Sequence, residues 1–299
     1  SRTKYYLRLF EAEGNTDLSG EYTIAAQAIS SSWDEGVGKF GMNPKVTNGV
    51  SWDNRKNLPT MTALSWSNSG CDVVPGLEYK ASQSFSYESP DINIDVTDIV
   101  RNWLGGTSNI PNHGFLLSFS GSQEQETGSL YTGELKFFSS NTHTIYAPRL
   151  EARWDDSSFV TGSLTELDVS GDTDNYVYPI GLKEKYKEDE KIKFRFGARK
   201  RYIQKTFSTS VQTISGSYIP EGSGSYSIVD CATGDIVIPF ESNNNTSYTP
   251  ISCDSTSPYF TQYLNTFHPD RVYKILLKIK YNDGQEQIFD DDFKFIVSR

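Results

Sequence analysis

Chemistry in this chain would have to come from its histidines, its carboxylates, its thiols or its aromatic rings. His113, His143 and His268 lie far apart, each among loop-type residues, with no Gly-x-Ser-x-Gly turn and no His-x-x-x-His pair. An activated nucleophile, or two metal ligands on one helix face, needs such spacing. Gly222-x-Gly224 lacks the third glycine and the helix of a phosphate-binding turn. Carboxylates are abundant, Glu124 and Glu126 in the polar stretch 121–128 among them. Glycoside hydrolysis needs two opposed across a cleft, about 5–9.5 Å apart, and no spacing here sets such a pair. Asp172-x-Asp174 is an oxygen-rich turn without the glycine and closing glutamate of a helical calcium loop, so a plain turn is expected. Cys71, Cys231 and Cys253 are odd in number with no CxxC spacing. Three reduced thiols are expected, in preference to a Cys231–Cys253 bridge, and no zinc site. The residues predict no enzyme, no cofactor and no metal centre.

Sugar binding has more support from residue types. Flat rings stack on the apolar faces of pyranoses while nearby amides and carboxylates hold the hydroxyls. Trp33, Trp52, Trp66, Tyr79 and Tyr87 lie in the loop-rich first half, beside Asp34, Glu35, Asp53 and Asn54. The competing reading for each ring is that it covers the rim of a hydrophobic core, as tryptophans often do.

The elements that would position these rings are strands. Of 299 residues, 40 are Phe, Tyr or Trp (17, 18 and 5) and only 2 are Met, which suits pleated sheets. Helical periodicity is confined to Val96–Leu104, stopped by Gly105-Gly106, and to a second short helix expected over Ser257–Thr266 before His268-Pro269. Short extended runs fill the rest, among them Tyr22–Ala28, Gly114–Phe119, Arg149–Trp154 and Lys191–Phe196, punctuated by Gly, Ser, Asn, Asp and Pro. Tyr281-Asn282-Asp283-Gly284 between alternating runs predicts a hairpin, with strands returning over Gln285–Phe289 and Phe293–Val297. The expected fold is all-β: a jelly-roll-like sandwich over 1–155, then one or two smaller antiparallel β domains over 156–299. The chain opens on Ser1-Arg2-Thr3-Lys4 without Met, so an upstream segment is expected to be missing.

With 28 Lys and Arg against 38 Asp and Glu, the net charge is −10, which opposes binding to nucleic acid or an anionic membrane. No apolar run approaches the length of a membrane span, so no insertion is expected.

Asp95-Val96-Thr97-Asp98-Ile99-Val100-Arg101-Asn102-Trp103, followed by Asn112-His113-Gly114-Phe115-Leu116-Leu117, resembles the DNRLRE-type β-sandwich domain, a carbohydrate-binding-module-like jelly roll. Ser32–Gly36, Gly49–Trp52, Phe137–Ser139 and Pro148–Glu151 match in order and spacing, so the resemblance covers about residues 1–155. It implies that Ile99 and Trp103 plug the open end of the sandwich. The second half, from Ser163 through Tyr202 to Asp292, resembles the C-terminal part of virion structural proteins of tailed bacteriophages. That resemblance implies a non-enzymatic structural or adaptor component of the tail, neck or fibre region, in a virion assembled in the host cytoplasm. Its partners would be other virion proteins and copies of itself. The alternative is a carbohydrate-binding module recognising a host surface glycan. For assembly, the basic run Arg199-Lys200-Arg201 within Lys183–Arg201 is expected to meet an acidic surface such as Asp290-Asp291-Asp292 of a neighbour.

Overall fold

The computed structural model describes residues 3–13, 21–38, 43–44, 46–57, 62–86, 91–105, 109–121, 124, 135–171, 174–202, 207, 209, 216–240 and 248–299. Strands hold 48% and helices 6% of them, so the protein is all-β. The chain divides into two compact units, Thr3–Arg153 and Trp154–Arg299.

The first unit runs β1 (Thr3–Leu9), β2 (Glu11–Glu13), β3 (Glu21–Ala28), β4 (Asn54–Lys56), β5 (Leu64–Ser65), β6 (Lys80–Ser86), β7 (Ile92–Asp95), α1 (Thr97–Trp103), β8 (Phe115–Phe119), β9 (Lys136–Phe137) and β10 (Arg149–Trp154). Two three-stranded sheets, ordered β10-β1-β7 and β6-β3-β8, turn their apolar faces to one core. Alternation selects that face. Leu7 on β1, Ile92 and Ile94 on β7, and Ile24, Ala26 and Ala28 on β3 are buried together. Helix α1 packs its apolar side into this core. The Asp95 carboxylate accepts the Thr97 N–H and hydroxyl at its start, and Ile99 and Val100 are buried. The Trp103 ring lies 4.6 Å from that of Phe115, and Gly105, at φ +92°, follows the C-cap.

The second unit runs β11 (Thr165–Glu166), β12 (Asn175–Ile180), β13 (Lys185–Lys187), β14 (Lys191–Lys200), β15 (Ser217–Tyr218), β16 (Gly224–Asp230), β17 (Ile236–Ile238), β18 (Ser252–Cys253), β19 (Pro258–Tyr263), β20 (Arg271–Lys280) and β21 (Glu286–Ser298). A six-stranded sheet around β14 and a five-stranded sheet, β13-β21-β20-β16-β17, share one aromatic core. Phe194, Phe260 and Phe295 meet there, with centroids 5.0 Å (Phe194–Phe295) and 5.2 Å (Phe194–Phe260) apart. The pairing is not purely antiparallel: β11 runs parallel to β15 and β13 parallel to β21.

The helix expected over Ser257–Thr266 is absent. Residues Pro258–Tyr263 form strand β19, paired with β14, and only Leu264–Thr266 makes a single 3₁₀ turn. Alternation wins because pairing with β14 buries Phe260 against Phe194 and Phe196. The hairpin forms as expected, with Gly284 at φ +87° donating its N–H to Tyr281 O. The two expected return strands are one, β21, interrupted at Asp290-Asp291-Asp292. There Ile275 pairs with Phe293 and Leu277 with Phe289, which leaves one residue of β20, Leu276, against three of β21. Regular alternation would put Asp291 on the core face between Phe289 and Phe293; the bulge lifts it out to solvent.

Phe295 is 1% exposed and touches four other rings of the core, whereas Ile288 on the same strand is 54% exposed. Phe295→Ala should cost about 3–5 kcal/mol in urea unfolding. Ile288→Ala should stay within about 0.5 kcal/mol of the parent.

Candidate functional site

The two loop segments that carry Trp33 and Trp52 are held together by glycine. Gly36 and Gly49 lie backbone against backbone: a Cβ on Gly49 would sit 2.4 Å from Glu35 O, and one on Gly36 would sit 2.5 Å from Asn48 O. Both glycines also take positive φ, +81° and +92°, which side chains rarely adopt. The crossing is sewn by Asp34 N–H to Arg55 O (3.1 Å) and by Gly49 N–H to Asn57 O (2.8 Å). The Arg55 guanidinium donates to Ser32 O at 2.9 Å, and Lys56 pairs with Asp34 at 3.4 Å.

On this support Trp52 is 58% exposed, its ring lying over Gly70, where a Cβ would approach the ring to 3.1 Å. Gly70 N–H donates to Trp52 O at 2.8 Å, so both backbone and ring are anchored. Trp33 is 36% exposed and its indole N–H donates to His113 O at 2.7 Å. The other rings behave differently. Trp66 is buried, donating its indole N–H to Ser51 O beneath the loop, and Tyr79 is buried in the sandwich core. Neither presents a face to a ligand. Tyr87 lies outside the described residues.

Asp72 locks the floor of the same cluster. It is buried, and its oxygens accept the N–H groups of Ser67 (3.0 Å) and Asn68 (2.9 Å). The Ser67 hydrogen bond most of all, then that of Asn68 and the nearby Arg55 charge, hold its carboxyl below the ordinary range although burial opposes them. Neighbouring Cys71 is the reverse: burial first, then the Asp72 charge, pushes its thiol up to about 11. It is protonated at neutral pH and a poor nucleophile.

A cleft of about 250 Å³ lies beside α1, where Lys4, Lys80 and Arg101 face Glu78, Asp95 and Asp98. Lys4 pairs with Asp95 at 3.4 Å and Arg101 with Asp98 at 3.8 Å, so its charges are largely matched from within.

The residues expected to drive assembly have partners inside their own unit. Lys200 pairs with Asp168 at 2.8 Å and Arg201 with Asp174 at 3.5 Å, while Arg199 lies over the Tyr176 ring at 4.9 Å. Across the bulge, Lys274 and Lys294 stand opposite each other in register. Asp290 meets Lys274 at 2.8 Å and Asp292 meets Lys294 at 2.7 Å, relieving a like-charge pair. Asp291 is exposed.

Asp174 of the turn weighed for calcium thus serves Arg201, and Asp172 lies outside the described residues. Among the described residues no group of three His, Cys, Asp or Glu could hold a metal ion. Nor, among them, is any helix long and apolar enough to cross a membrane. Glu124 accepts the Phe119 N–H, and Glu126 lies outside the described residues. Cys71, Cys231 and Cys253 are free thiols.

Because folding lowers the Asp72 pKa, its stabilisation is complete above the ordinary Asp value of about 3.9. It is lost as pH falls from there through the folded value, since protonation then favours the unfolded chain. The gap in urea midpoint between the parent and Asp72→Asn should therefore be constant at neutral pH and shrink below about pH 4. Gly49→Ala should loosen both tryptophan loops at once, read as faster proteolysis within residues 33–57 and a red-shifted tryptophan emission. No protein-family model matches this chain and no curated protein matches it, so the roles of these side chains are read from their geometry.

Proposed function

We propose that this chain is a non-enzymatic structural and adaptor component of a tailed-phage particle whose first unit contacts a host surface glycan through Trp52 and Trp33. The observation that carries the glycan reading is Trp52: a large ring, 58% exposed, on a loop anchored by hydrogen bonds and by glycines that admit no side chain. Apolar area held rigid in solvent can be covered by a ligand at little cost in ordering, which suits a binding surface. The polar groups that would fix hydroxyls stand beside it, with Asp34, Lys56 and Arg55 on the same crossing. With Trp66 and Tyr79 buried, Trp33 and Trp52 are the candidate rings left open among the described residues. The particle reading is supported by the resemblance of residues 163–292 to virion structural proteins. It is also supported by three free thiols, which suit assembly in a reducing cytoplasm.

Polysaccharides from the host surface, arrayed and probed with the multimerised chain, should retain it. Trp52→Ala should lose at least about 2 kcal/mol of that binding, roughly thirtyfold, with an unchanged far-ultraviolet dichroism spectrum. Silence across the host polysaccharides, or full binding by the alanine variant, rejects the glycan contact. Failure of antibody against the chain to label intact particles in electron micrographs rejects the particle role.

A further inference from the structure

The outer face of β14 is unlike the rest of this acidic protein. Phe194, Phe196 and Ala198 point into the core, so Lys191, Lys193, Arg195 and Arg199 share the opposite face with Gly197. Register places a tyrosine beside almost every one of them. Tyr263 is opposite Lys191, Tyr259 opposite Arg195, and Tyr176 opposite Arg199. Each ring carries a cation: Lys191 is 4.6 Å from the Tyr263 centroid, Lys193 is 3.9 Å from that of Tyr259, and Arg199 is 4.9 Å from that of Tyr176. Tyr178 fills the one gap in the row. Its ring covers Gly197 so closely that a Cβ there would fall 2.2 Å from it, and it stacks on Tyr176 at 5.8 Å.

The charge on this row is only partly compensated, although the chain as a whole carries a net charge of −10. Asp254 serves both Arg195, at 2.7 Å, and Lys193, at 3.4 Å. Among the described residues Lys191 and Arg199 form no ion pair. Two of the four cations share Asp254, and Asp156 acts on Lys191 only through its field, along a strand that rises about 3.3 Å per residue, a row of roughly 26 Å from Lys191 to Arg199. The tyrosines hold the cations in place, which lowers the entropy lost when an anion binds.

We infer that the outer face of β14 is a binding site for a linear acidic polysaccharide, separate from the Trp52 platform. A row of fixed cations on one strand matches a chain with regularly repeated anionic groups. Hydroxyls of Tyr259, Tyr263 and Thr261 on the same face offer partners to the sugar hydroxyls between them. Single-stranded nucleic acid fits less well, because it binds by stacking bases on open rings, and three of these rings already carry a cation.

The full-length chain should bind polygalacturonate or dextran sulfate at low salt and bind neutral dextran at least about tenfold more weakly. Retention of the carboxylated polymer alone, the sulfated one alone, or both identifies the anion and supports the site. Raising salt from about 50 to about 300 mM should weaken binding tenfold or more. Lys191→Gln combined with Arg199→Gln should reduce affinity about tenfold, and Lys193→Gln alone by a smaller factor, because each removes a surface charge that the polymer would meet. Trp52→Ala should leave this binding unchanged, so its failure and that of the glycan platform are read separately. Loss of neither acidic polymer in the double variant overturns the inference, as does no retention of either polymer at low salt. Tighter binding of a single-stranded oligothymidylate than of both polymers also overturns it, and assigns the face to nucleic acid.

Discussion

The period-two alternation of β14 is the constraint on which the second unit depends. Its inward residues, Phe194 and Phe196, join Phe260, Phe293 and Phe295 in one aromatic core, and its outward residues are the cations. A slip of one residue would bury Lys193 and Arg195 and expose two phenylalanines, so the register is strongly specified. Pairing on β14 then propagates outward: β19 must present Phe260 inward and Tyr259 outward, and β12 must present Val177 inward and Tyr176 outward. The tyrosine and cation row is therefore the other side of the packing rule that builds the core. Its function comes from residues that the fold leaves free to choose.

The bulge in β21 answers the same constraint. Phe289 and Phe293 share the core face with position 291, and the strand keeps Asp291 out of the core by looping out an aspartate-rich segment, with Asp292 at φ +62°. Aspartate tolerates that conformation better than most side chains. The same aspartates neutralise two lysines that the antiparallel register sets face to face. One short segment thus solves a packing problem and the electrostatic problem beside it. Lys200 and Arg201 find Asp168 and Asp174 in a similar way. Lys200, Arg201, Asp290 and Asp292 each have an ion-pair partner at short range within the unit. Exposed pairs of this kind contribute at most about 1 kcal/mol each and chiefly decide which charges remain unpaired.

In the first unit the corresponding constraint is a backbone crossing. Gly36 and Gly49 approach closer than any side chain would permit, and the two tryptophan-bearing loops become one body. Asp72, buried under the cluster, supplies the hydrogen bonds that the loop backbone needs where no strand is available. A rigid loop platform on a sandwich rim can keep Trp52 exposed without its collapsing onto the core.

Residue types and their alternation alone determined that this protein is all-β, and they located α1 and the Tyr281–Gly284 hairpin. These features are local: a capping aspartate, a glycine that must take positive φ, and a period of two. The same alternation already separated Phe194 and Phe196 from Lys193 and Arg195. Only the tertiary structure decided what lay across the chain from each of them. Residues 257–266 satisfy a short helix pattern, but pairing with β14 makes Pro258–Tyr263 a strand, because Phe194, 66 residues earlier in the chain, pairs with Phe260 and buries it. Five rings looked equally fit to meet a sugar, yet Trp66 and Tyr79 are buried and Trp33 and Trp52 are not, a difference set by how loops cross rather than by their neighbours in sequence. The cation row likewise depends on register. Tyr176, Arg199 and Tyr259 are scattered along the chain, and only sheet pairing brings their side chains onto one face.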